Sequence, residues 1–244
     1  MALAKRPANA TFPGEAIRPA RALTESPVIT RRQFLAGGSL LALTAMLAGP
    51  DWLALAPQAS AQGVSQTELL VPPELGDRAL GKDDAPVTVV EYASMTCPHC
   101  AQFHEKTYPE LKKRYIETGK VRFIFREFPL DPLAAGASML ARCAPKEQYF
   151  PLIETLFQEQ RKWAVERPLP PLLAIAKQAG FSEQSFNACL QDDKMLKSLE
   201  AERERASKKF GVQSTPTLFV NGKLQRGGMS IDELAKVIDP LIKS

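Results

Sequence analysis

The stretch YASMTCPHCAQFHEKTYPELKKRY, Tyr92–Tyr115, sets two cysteines, Cys97 and Cys100, at a change of pattern. Ahead of them runs PVTVVEY, Pro86–Tyr92, β-branched and mostly apolar, as a buried strand is. Behind them residues 98–117 carry apolar anchors at helical spacing, Phe103, Leu111 and Tyr115, with Pro109 predicting a kink and Gly119 a stop. KVRFIFREFP, Lys120–Pro129, reads as a second strand. Strand–helix–strand favours parallel pairing through a right-handed crossover.

Beyond Asp131 the pattern is helical only, with segments predicted over 132–144, 147–160, 171–179, 183–190 and 194–210, punctuated by Pro168, Pro170 and Gly180. Strand character returns in TPTLFVNGKLQRGG, where Asn221-Gly222 marks a hairpin turn. SIDELAKVIDPLIK closes as a helix, with Ser230 and Glu233 spaced as a capping box. The order is β-α-β, helical insert, β-hairpin, α, with boundaries at 82–130, 131–211 and 212–244.

The first sixty residues read as an export signal. Arg31 and Arg32 precede the short apolar run Phe34–Leu47, which Gly49, Pro50 and Asp51 interrupt. That run is shorter than the ~20 residues a membrane span needs, and Ala59-Ser60-Ala61 is a small-residue cleavage site. Residues 1–61 are therefore assigned to a signal peptide and 62–81 to a polar, proline-broken leader, with no membrane span after cleavage. Residues 1–61 hold six Lys/Arg and three Asp/Glu, leaving 25 basic against 24 acidic residues in the body. A nearly neutral body gives no electrostatic reason to expect nucleic acid. Export puts all four cysteines where thiols can be oxidised and remain so.

At the start of a helix, Cys97 would face unpaired N–H groups and the positive end of the helix dipole. Both favour a thiolate and so a depressed pKa. Pro98 suits the first turn, where a missing N–H costs nothing, and His99 adds a donor beside the sulfur. A stabilised thiolate stabilises the dithiol form, which makes the disulfide an oxidant. In this reading Cys97 is the exposed sulfur that meets a substrate thiolate, and Cys100 is the buried one. The competing reading, half a zinc site, lacks ligands: the chain has two histidines, His99 and His104, and the remaining cysteines stand alone. No cofactor or metal is expected.

CPHC opening a helix after VVEYAS, with STPTLFVNG far downstream, resembles the DsbA family of thiol–disulfide oxidoreductases from about Arg78 to the end. TRRQFLA likewise resembles a twin-arginine export signal, with Ala36 in place of the usual final lysine. The family resemblance implies an α/β, thioredoxin-like fold with a helical domain inserted between its β-α-β half and its β-hairpin-α half. It implies that Pro216 is a cis-proline facing the cysteines, that Thr215 precedes it, and that Glu91 is an acid beneath the site serving the proton of Cys100. It also implies a DsbB-type membrane partner that recycles a protein acting on reduced, unfolded exported proteins; export places that protein in the periplasm, and the absence of an assembly segment makes a monomer the expectation. Thr215 departs from the valine of many strong oxidases and is shared with isomerases, so isomerase and reductase stand as alternatives to oxidase. A copper-binding or holdase module is a further alternative, without a Met-rich or His-rich tract to support it.

Cys143 and Cys189 fall in the insert, and in an exported chain a structural disulfide between them is expected; two separate buried cysteines is the other reading. His104, four residues after Cys100, shares its helical face; a role in tuning the site and a solvated surface position both remain open. Trp163 sits in a polar loop, as a packing anchor or part of a substrate surface.

Overall fold

The computed structural model describes residues 64–243, which lie within one compact unit; the expected signal falls outside the described residues. In chain order the elements are α1 (Gln66–Leu69), β1 (Arg78–Leu80), β2 (Val87–Ala93), α2 (Pro98–Lys106), α3 (Tyr108–Leu111), β3 (Val121–Glu127), α4 (Pro132–Cys143), α5 (Tyr149–Gln158), α6 (Gln160–Trp163), α7 (Leu169–Gln178), α8 (Glu183–Leu190), α9 (Asp193–Phe210), β4 (Thr217–Val220), β5 (Lys223–Arg226) and α10 (Ile231–Ile242). They form a five-stranded sheet in the order β1-β3-β2-β4-β5. β2 and β3 pair in parallel, and every other pairing is antiparallel.

Both faces of the central strands are buried, which explains their near-continuous apolar character. Val87, Val89 and Ala93 of β2 join Phe123 and Phe125 in the core shared with α2, the insert and α10. Val90, Tyr92, Ile124 and Phe219 face the other way, against Leu69 of α1 and Ala206 and Phe210 of α9. The Asn221-Gly222 turn joins β4 to β5 with φ of 44° and 79°, and a Cβ on Gly222 would lie 2.8 Å from the Val64 carbonyl oxygen, so glycine is required there.

The kink expected at Pro109 is present, and one feature departs from the sequence reading. The helix expected over 98–117 is interrupted at Thr107 and ends in a π-helical turn over Lys112–Ile116. Pro109 has no N–H to continue the ladder. The leader is not a mere linker, because it contributes β1, paired antiparallel to β3. Three residues are too few to show alternation.

Two buried arginines hold that leader. Arg126 is fully buried. Its Nε donates to Asp77 Oδ1 at 2.9 Å, and its Nη1 donates to the Leu69 carbonyl at 2.7 Å and the Tyr92 hydroxyl at 2.8 Å. Arg142 forks onto both oxygens of Glu127 at 2.6 Å and reaches the carbonyls of Leu75 and Gly76.

Cys143 and Cys189 are bonded, with Cα atoms 6.2 Å apart, tying the end of α4 to α8 across a separation of 46 residues. Loop closure of that length is worth about 4 kcal/mol in the chain-entropy model. A Cys143→Ala/Cys189→Ala variant is therefore expected to lose about that much stability in urea unfolding, and a loss below about 1 kcal/mol would show that the insert holds itself together without the bridge.

Candidate active site

Cys97 is the N-cap of α2, with φ −76° and ψ 118°, and Pro98 begins the helix. Its N–H bonds the Ser94 carbonyl at 3.1 Å, and its own carbonyl accepts the Ala101 N–H at 3.1 Å. Across the site the Thr215-Pro216 peptide is cis, and the Cys97 thiol donates to the Thr215 carbonyl at 3.3 Å. That loop leads straight into β4, whose Thr217 and Leu218 pair with Tyr92 and Glu91 of β2. One end of this antiparallel strand pair thus brings Cys97 and Thr215, 118 positions apart in sequence, together.

Cys97 and Cys100 are both unbonded thiols in this structure. Cys97 is 5% exposed and Cys100 is wholly buried. The sulfur expected to be exposed is therefore only slightly open, with the cis-proline loop against it. The Cys97 pKa is lowered to about 5, first by a hydrogen bond from the Cys100 thiol and further by the Thr215 side chain and the backbone N–H groups of Cys100 and His99, against burial, which raises it. The Cys100 pKa is raised well above the ordinary thiol value, first by burial, then by its hydrogen bond to Cys97 and by the charge of Glu91. The contribution from residue 99 comes through its main chain, and the His99 side chain is exposed.

Beneath the cysteines, Glu91 is fully buried. Its Oε2 lies 2.9 Å from His104 Nε2. His104 is 5% exposed, which removes the solvated-surface reading. Its ring is stacked between Phe157, 4.3 Å away, and Tyr108, 4.7 Å away. Trp163 is likewise buried, not in a polar loop, and its indole N–H donates to the Leu156 carbonyl at 2.7 Å.

Sequence reasoning missed Gln160. Its Nε2 reaches in from the insert and donates to the carbonyls of Met95 at 2.7 Å and Cys97 at 3.0 Å. Nothing local marks a glutamine whose partners lie more than sixty residues away. The insert also holds the loop through Asp131, the N-cap of α4, whose Oδ2 accepts from Thr96 Oγ1 at 2.5 Å. A Gln160→Met variant keeps the volume and leaves the Met95 carbonyl unsatisfied. We expect it to cost about 1–3 kcal/mol in thermal unfolding, and an unchanged midpoint would show that the loop does not depend on this clamp.

Among the described residues, no group of three or more His, Cys, Asp or Glu side chains is arranged to hold a metal ion, and no helix is long and apolar enough to cross a membrane.

A thioredoxin family model matches residues 74–240. The chain is 37% identical over 169 residues to a Rickettsia bellii protein carrying the provisional name protein-disulfide oxidoreductase, covering 68% of this chain and 65% of that one. The chain thus spans less than two thirds of that relative's length. It is 30% identical to disulfide bond formation protein D of Bacillus subtilis, covering 69% of this chain and 78% of that one. The crystal structure of Wolbachia pipientis α-DsbA1 matches with a TM-score of 0.68 at 33% identity, over 73% of this chain and 96% of that one. With its paired cysteines at a helix N-terminus under a cis-proline loop, the chain belongs to the thioredoxin-fold, DsbA-like family of thiol–disulfide oxidoreductases.

Proposed function

We propose that this protein is an exported oxidant that introduces disulfides into reduced polypeptides. The observation that carries the reading is the placement of its two thiols: Cys97 caps the N-terminus of α2 beside the cis-proline loop, while Cys100 is wholly buried one turn inside, which lowers the Cys97 pKa to about 5 and raises that of Cys100. A substrate thiolate attacks Cys97 Sγ of the Cys97–Cys100 disulfide. The S–S bond breaks, its electron pair passes to Cys100 Sγ, and that sulfur takes up a proton, served by Glu91. A second substrate thiolate then attacks the substrate sulfur of the mixed disulfide. A substrate disulfide forms, and Cys97 leaves as the thiolate its surroundings stabilise. Two electrons have passed from substrate to protein, and a low leaving-group pKa speeds the last step.

Pro98 supports this by starting the helix without an orphan N–H, and the cis Thr215-Pro216 loop by setting the Thr215 side chain where it favours the Cys97 thiolate. The exposed His99 lies at the entrance to the site, beside a cleft of about 710 Å³ that also takes in Gln102, Glu105 and Arg161. The substrates are reduced, unfolded exported proteins, and a DsbB-type membrane partner removes the electrons. The protein acts in the periplasm as a monomer, delivered by a twin-arginine signal. The Cys143–Cys189 bridge is structural.

The test is refolding of reduced, denatured ribonuclease. The disulfide form alone, in stoichiometric amount, is expected to drive disulfide formation without added glutathione. Failure there, with the dithiol form instead rescuing scrambled ribonuclease, would make the protein an isomerase.

A further inference from the structure

The mechanism gives Glu91 a proton to carry but does not explain His104. The structure gives Glu91 one hydrogen-bond partner: Oε2 meets His104 Nε2 at 2.9 Å, while Oε1, equally buried, accepts no hydrogen bond. His104 Nδ1 is also buried without a partner. With Nε2 donating to Glu91 Oε2, Glu91 Oε1 is left as an unfilled acceptor. A buried polar atom left unpaired is costly and calls for a reason.

The imidazole cannot swing to another partner. Phe157 and Tyr108 stack on its two faces, and Phe103 and Phe125 meet it edge-on, with centroids 5.6 and 5.8 Å away. The ring is thus held by α2, α3, α5 and β3 together. The other titratable groups near it offer no substitute. Tyr108 is pushed far above the ordinary phenol value, first by burial, and keeps its proton. Glu154, on α5, is bonded to Lys112 at 2.9 Å. Cys100 is the thiol that feels the charge of Glu91.

We infer that His104 is a positioning residue that pins Glu91 by one oxygen and leaves the other free to take the proton of Cys100 when the disulfide closes. The inference rests on the proton role proposed for Glu91 and adds the group that aims it. In the step concerned, Cys97 is in mixed disulfide with an oxidant thiol. Cys100 Sγ attacks Cys97 Sγ, the Cys97–Cys100 bond forms, and the bond to the oxidant breaks with its electron pair leaving on the oxidant's sulfur. The proton of Cys100 passes to Glu91 Oε1. A carboxylate free to rotate would present that oxygen only part of the time, and hydrogen-bond reach is what general-base transfer requires.

The experiment uses the full chain, reduced and mixed with oxidised glutathione, and follows the lifetime of the Cys97–glutathione mixed disulfide by acid quench and mass spectrometry. His104→Leu is expected to lengthen that lifetime by roughly tenfold to a hundredfold. His104→Gln, which restores an N–H donor that does not titrate, is expected to return it to within about threefold of the unmodified protein. Both variants are expected to keep the ultraviolet thiolate titration of Cys97 near pH 5. Ring closure at the unmodified rate in His104→Leu would overturn the inference, as would His104→Gln closing as slowly as the leucine variant. Should leucine cost the fold, the glutamine variant alone still decides: closure slowed tenfold or more sinks the positioning role. A Glu91→Gln arm separates the two readings, since slow closure there with fast closure in His104→Leu removes His104 only, whereas fast closure in Glu91→Gln removes the role of Glu91 itself.

Discussion

Cys97→Ala is expected to keep the fold and lose thiol–disulfide exchange to background, whereas Cys100→Ser is expected to become trapped as a Cys97 mixed disulfide when mixed with oxidised glutathione. The asymmetry follows from the two environments. Cys97 is slightly open and its pKa is lowered to about 5; Cys100 is wholly buried and its pKa is raised. The Cys100 position has a second effect, because its hydrogen bond is the first cause of the low Cys97 pKa. Cys100→Ala removes that donor and is expected to raise the Cys97 titration by about one to two pH units, the equivalent of a hydrogen bond to a charged group. Cys100→Ser retains an O–H donor and is expected to stay near the original value. Equal titrations in the alanine and serine variants would show that the Cys100 hydrogen bond does not set the Cys97 pKa.

Arg126→Met is expected to destabilise the protein by about 3–5 kcal/mol in urea unfolding. The guanidinium is fully buried, and its removal strands Asp77 and weakens the charge balance of Glu202, 3.7 Å away. It also releases the carbonyl of Leu69 and the Tyr92 hydroxyl, which joins β2 to Glu202 of α9. One side chain therefore ties leader, sheet and insert together. A cost below about 1 kcal/mol would mean that methionine packing replaces the network and that these three parts are joined mainly by apolar contact.

The architecture was legible where pattern is local. The runs around Val87 and Val121 are apolar because the sheet is covered on both sides, and the CPHC stretch sits where a strand gives way to a helix with Pro98 in its first turn. The Ser230–Glu233 capping box was visible for the same reason and forms in the structure. What could not be read depends on distant partners. β1 is three residues long and gains its identity only from Phe123–Phe125 opposite it. Gln160 looks like any helical glutamine until the insert folds back over Met95 and Cys97. The burial of His104 is set by Tyr108, Phe125 and Phe157, which arrive from three other elements, so its spacing from Cys100 left the solvated reading standing.

The split thiols also fix how pH acts. The depressed Cys97 pKa stabilises the folded dithiol state fully above the ordinary thiol value of 9.0, and that contribution is lost as pH falls through about 5. Between those limits reduction of the disulfide takes up one proton for two electrons, so the potential is expected to fall by about 30 mV per pH unit. Below about pH 5 it takes up two, and the slope is expected to double to about 60 mV per unit.

The most direct measurement is ultraviolet titration of the thiolate in the reduced protein, with Cys97→Ala as the blank. The proposed oxidant chemistry requires the absorbance to rise with a midpoint near pH 5 and the blank to show no rise there. A midpoint near the ordinary thiol value of 9.0 would contradict it.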